Sequence, residues 1–84
     1  MQLITLRLKI VPEMAYRVFD EFDWDGAEPQ PDGSYIVTAK WPEDEWVYGK
    51  ILSFGTYAEV LGPEHIKAII GQKAKRISQM YLIE

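Results

Sequence analysis

Three groups of residues in this chain of 84 carry side chains that could do chemistry. The first is acidic. Glu21, Asp23, Asp25, Gly26 and Asp32 fall at positions 1, 3, 5, 6 and 12 of a calcium-binding loop. Calcium coordination in such loops wants a short Asp first and a bidentate Glu last, and here the two are reversed. Pro29 and Pro31 stiffen the segment, and a strand pattern follows where a second helix belongs. It reads as a solvated acidic loop.

The second group is catalytic by residue type only. His65 is the single His, it falls in the first turn of a helix pattern, and no Ser or Cys set accompanies it. The chain has no Cys and no Asn. That excludes disulfides, thiolate metal sites, cysteine nucleophiles and mechanisms that need an Asn orienter. No Gly-rich phosphate loop occurs, and no carboxylate pair sits in an apolar run that would raise one pKa. The expectation is a protein that is not an enzyme, with no cofactor and no metal.

The third group is basic and aromatic. Arg7, Lys9, Thr38 and Lys40 stand at alternate positions of two strand patterns, so they share the wet face of a sheet. Cations interleaved with threonines suit a phosphate-bearing effector or an acidic partner surface, although plain solvation serves them as well. Eleven aromatics are more than one small core hides. Trp41, Trp46 and Tyr48 are therefore candidates for docking against a second copy or a neighbouring domain, or for capping the core under the last helix.

Charge is unevenly spread. Residues 13–45 carry a net charge of −8, against +2 for each flanking segment and −4 for the whole chain. Wrapping of nucleic acid by the whole domain is excluded by that balance, since phosphate neutralisation needs a basic face. No window resembles a membrane span or an export signal, so a cytoplasmic domain is expected.

The positioning elements follow from periodicity. Ile4, Leu6, Leu8 and Ile10 alternate with Thr5, Arg7 and Lys9, giving a half-buried strand. Pro12 opens a helix whose apolar face is Ala15, Val18, Phe19 and Phe22. A short edge strand over 27–30 and the Pro31-Asp32-Gly33 turn lead into a strand carrying Tyr35, Val37 and Ala39 inward. Asp44 caps a helix with the stripe Val47, Ile51 and Phe54, and Gly55 stops it. A strand over 56–61 precedes a last helix that opens at Gly62-Pro63. Ile66, Ile70, Ala74, Ile77 and Tyr81 face inward on it, and Lys67, Lys73, Lys75 and Arg76 face water. The order β-α-β-β-α-β-α predicts an α+β fold, a ferredoxin-like βαββαβ sandwich with an additional C-terminal helix. That helix is expected to cover an edge or part of the open face.

The run Trp46 to Gly55 (WVYGKILSFG), followed by Ala58-Glu59-Val60-Leu61-Gly62-Pro63, resembles the signature block of the WCX domain. The likeness spans the chain as one domain, 1–84, from the Ile4–Ile10 strand through Tyr16–Phe22 to the helix beginning Pro63-Glu64-His65-Ile66. WCX domains form the C-terminal extension of bacterial WYL-domain transcriptional regulators. The resemblance implies a ferredoxin-like regulatory and assembly module. Its partners would be the WYL domain of the same polypeptide, a second copy in a homodimer, and a nucleotide or small-molecule effector. DNA would be reached only through a helix-turn-helix domain outside this chain. Gly62 departs from the family, which usually has Glu there, and Gly71 interrupts the last helix. The alternative is a stand-alone ACT-like small-molecule sensor, against which the Val11-Pro12-Glu13 junction argues, since that family wants a Gly-rich first loop.

Overall fold

A computed structural model of the chain describes residues 3–21 and 26–82. The expectations for Phe22, Asp23, Trp24 and Asp25, and for the side chains of Phe19 and Glu21, lie outside the described residues. The calcium-loop spacing falls largely among them.

Strand β1 (Leu3–Ile10) alternates exposed and buried residues along its length, as its sequence dictates. Pro12 cannot donate a backbone hydrogen bond, and residues Pro12–Met14 form a single 3-10 turn before α1 (Ala15–Glu21). β2 (Ala27–Pro29) is a short edge strand, and β3 (Tyr35–Pro42) follows the turn. That turn is closed by Gly33 N–H donating to the Gln30 carbonyl, with Gly33 at φ 89°. Asp32 Oδ1 accepts from both the backbone N–H and the hydroxyl of buried Ser34, at 2.9 and 2.6 Å. Those bonds hold the Asp32 carboxyl below its ordinary range, the Ser34 hydroxyl being the larger cause.

Helix α2 (Glu45–Leu52) is capped as expected, Asp44 Oδ1 accepting from Val47 N–H at 2.9 Å. Gly55 at φ 62° ends the segment, and another 3-10 turn leads to β4 (Ala58–Gly62). Helix α3 (Glu64–Met80) begins one residue later than the sequence suggests. Pro63 is its N-cap, and the Pro63 carbonyl accepts from both Ile66 and Lys67.

The sheet order is β2-β3-β1-β4, antiparallel throughout. The fold is α+β: a four-stranded antiparallel sheet with helices and a C-terminal helix. Its core lies under the inward rows of β1, β3 and β4, where Leu6, Leu8, Ile10, Val37 and Val60 meet Val18 of α1 and Val47 and Ile51 of α2. Phe54, just past α2, is the largest fully buried side chain among the described residues.

Helix α3 takes the first of the two places expected for it, an edge: Ile66 joins the core, and Ile69 and Ile70 pack against it beside edge strand β4 and α2. One expectation changes, because its inward stripe does not continue: Ala74, Ile77 and Tyr81 are exposed. The reason is length. Seventeen helical residues span about 25 Å, and the five residues of β4 about 17 Å. The helix outruns its support.

Candidate contact faces

Strand pairing gathers the basic candidates. Along β1 and β3 the outward partners are Thr5 with Lys40, Arg7 with Thr38, and Lys9 with Ile36. Cross-strand neighbours have Cβ atoms about 5 Å apart, so Arg7, Lys9, Thr38 and Lys40 form one patch on the open face. The edge strands supply what composition alone conceals. Glu59 of β4 stands opposite Lys9, and Glu28 of β2 stands opposite Ile36. One end of the patch is thereby balanced. Arg7 differs, because β4 bulges there and its partner is Gly62, which presents no side chain. Among the described residues, no carboxylate is paired opposite Arg7 or Lys40, which lie beside exposed Leu3.

The three docking aromatics part company. Trp46 on the first turn of α2 is 69% exposed. Trp41 ends the inward row of β3 and packs against the core while remaining half-buried. Lys50 links them, its Nζ 5.8 Å from the Trp41 ring centre and 5.5 Å from that of Trp46. Trp46 and Lys50 are four residues apart on α2, so helical spacing sets that contact. Tyr48 is a correction. It points the other way, is buried, and belongs to the core rather than to a docking surface.

The Tyr48 hydroxyl donates to Glu43 Oε2 at 2.5 Å, and Glu43 Oε1 meets His65 Nε2 at 2.8 Å. One carboxylate thus ties the start of α2 to the start of α3. Nearby, Lys73 donates to Glu45 at 2.9 Å and lies over the Tyr48 ring. Lys73 is therefore fastened to α2 rather than left in water. His65 and Glu43 are 22 residues apart, and no local pattern signals their meeting. Arg17 of α1 was likewise not legible as a contact: it donates to the carbonyl and hydroxyl of Ser53 and lies over the Phe54 ring at 3.9 Å.

This junction titrates in a defined direction. Hydrogen bonding to Glu43 pushes the Tyr48 phenol up to about 12, with burial and the carboxylate's charge adding to it. The Tyr48 and His65 bonds hold Glu43 below its usual range. For a phenol raised on folding, the stabilisation is complete below about pH 10 and is lost as pH climbs through about 12. For Glu43 it is complete above the ordinary carboxylate range and is lost on acidification. An ultraviolet difference titration of wild type against Tyr48→Phe should show one phenol ionising near 12. A missing component near 10 instead would mean the bond to Glu43 is not made.

Among the described residues no group of three or more His, Asp or Glu is placed to hold a metal ion. Among the described residues no helix is long and apolar enough to cross a membrane either. The molecule is a small α+β domain with a partly balanced basic row on the open face of its sheet and a Trp–Lys cluster on its helical side. The WCX domain family model matches residues 2–78, and the chain belongs to that family. No curated protein sequence matches it.

Proposed function

We propose that this domain is the C-terminal regulatory module of a WYL-domain transcriptional regulator in the bacterial cytoplasm, without catalysis of its own. Membership of the WCX family supports a regulatory role in that setting. The strand order β2-β3-β1-β4, with α1 and α2 following β1 and β3, fits the ferredoxin-like reading of the fold. The module couples effector sensing to DNA binding by a helix-turn-helix domain elsewhere in the polypeptide. It does so by a contact that differs between two states of the parent, which is the minimum a coupling element must supply.

The observation that carries the proposal is the setting of Arg7. It projects from a central strand between Thr38 and Gly62, with no carboxylate opposite it on either neighbouring strand, and Lys40 lies diagonally across. That arrangement receives an anionic group, either on the WYL domain of the same chain or on a nucleotide-like effector. Exposed Trp46 with Lys50, on α2 in the helical layer behind the sheet, supplies a separate apolar anchor.

The reading frame upstream of this segment tests the parentage. The proposal expects in-frame helix-turn-helix and WYL segments. A native start at Met1 preceded by a stop codon would retire it.

A further inference from the structure

On the helical side of the sheet, α2, α3 and β4 border a cavity of about 250 Å³. Its floor is the core itself, at Ile51 and Val60. Half-buried Leu52, Ala58 and Ile70 make the walls, and exposed Gly55 and Gly71 stand at the rim.

Gly71 has no reason in packing. Glycine weakens a helix interior more than any residue except proline. No atom lies within 4 Å of where its Cβ would stand, so nothing within the domain requires it. Gly55 is different, because its φ of 62° favours glycine. What Gly71 does is keep the mouth of the cavity clear, where a longer side chain would fill it.

The rim carries one available cation. Lys67 lies one turn before Gly71 on the same face of α3 and also lines the cavity. It is exposed and makes no hydrogen bond or ion pair among the described residues. Lys73, further along the helix, is by contrast held by Glu45. Glu59 borders the cavity as well, but strand alternation turns its side chain to the open face, opposite Lys9.

We propose that this cavity binds a medium-chain monocarboxylate, with its hydrocarbon inside and its carboxylate at Lys67. Volume sets the size. An apolar cavity of about 150 Å³ accepts benzene, so one of about 250 Å³ takes a chain of about eight carbons. Apart from Lys67 and Glu59, every lining residue is apolar or glycine, which favours hydrocarbon over water. Charge sets the head group. One ammonium matches one carboxylate, whereas a phosphate dianion would leave a charge facing Glu64, three residues before Lys67. The site lies on the opposite side of the sheet from Arg7 and Lys40.

The test uses the 84-residue chain and does not depend on effector coupling, so it can fail while the regulatory reading stands, and the reverse. In an NMR titration, sodium octanoate should shift the Gly55 and Gly71 amides and the Ile51, Val60 and Ile70 methyls. Saturation is expected with a Kd of about 1 mM or tighter. Gly71→Leu fills the mouth with a better helix former, so it should raise the melting temperature and weaken octanoate at least about tenfold. Lys67→Gln should weaken octanoate about two- to fivefold, the scale of an exposed ion pair, and leave octanol binding unchanged. Met80→Ser, on the exposed end of α3, should alter neither. Octyl phosphate should bind no more tightly than octanoate. Shifts that are absent, or confined to the end of α3, overturn the proposal. So does a folded Gly71→Leu that binds octanoate like wild type, an equal loss of octanol and octanoate in Lys67→Gln, or a preference for octyl phosphate.

Discussion

Phe54→Ala should remove most of the stability of this domain. Phe54 is 1% exposed, and it sits at the junction where α1, α2 and the turn to β4 meet. Truncating a buried Phe costs about 3–5 kcal/mol, from lost transfer energy plus the cavity left behind. A domain of this size has roughly 5–10 kcal/mol in total. The ring is also the platform for Arg17, whose guanidinium is anchored by the carbonyl and hydroxyl of Ser53. Removing the ring therefore leaves a cavity and weakens the tie between α1 and the end of α2. The melting temperature should fall by on the order of 15–30 °C. Arg17→Met keeps the packing and loses the cation with its two exposed hydrogen bonds to Ser53, and should cost about 1 kcal/mol. Thermal denaturation of both variants decides the matter: a loss for Phe54→Ala no larger than that for Arg17→Met would remove Phe54 from the centre of the core.

Gly26→Ala is the second large effect. A Cβ at Gly26 would fall on the carbonyl oxygen of Thr38, well inside contact distance. Backbone cannot yield as a flexible side chain can, so the cost is about 1–3 kcal/mol, and it falls on one place. β2 has only three residues, begins at the next position, and is held by β3 alone. The expected result is an edge strand that detaches while β1, β3 and β4 remain paired. Amide exchange in β2 should accelerate more than that in β1, with a smaller loss of global stability than for Phe54→Ala. Uniform acceleration across all strands would show that β2 is not an independent unit.

Much of this was legible because it is local. The alternation of Ile4 to Ile10 shows a half-buried strand, and the same alternation places Arg7 and Lys9 on the opposite face. Asp44 and Gly55 mark the limits of the second helical segment through capping and a positive φ, both readable from residue type. What the chain order conceals is register. Whether Arg7 meets a carboxylate depends on the bulge that brings Gly62 opposite it, and Glu59 meets Lys9 through the same pairing. The Glu43–His65 and Lys73–Glu45 contacts join residues more than twenty positions apart. Tyr48 illustrates a different ambiguity: a Tyr on a helix can serve surface or core equally well. It enters the core because Glu43 is there to accept its hydroxyl. The end of α3 departs from the sequence expectation for a simple reason. Periodicity shows which face is apolar but not where its support stops.

On the proposed function, the open face of this domain couples an effector signal to DNA binding elsewhere in the parent. Substituting Arg7, Lys9 and Lys40 by Gln in the full-length regulator, followed by operator binding across an effector titration, tests it most directly. None of the three is a core residue, and the two neighbouring threonines remain, so the fold should be retained. The account predicts a shifted or abolished effector response, with the operator affinity of the isolated helix-turn-helix segment unchanged. A full-length variant whose effector response matches wild type would contradict it.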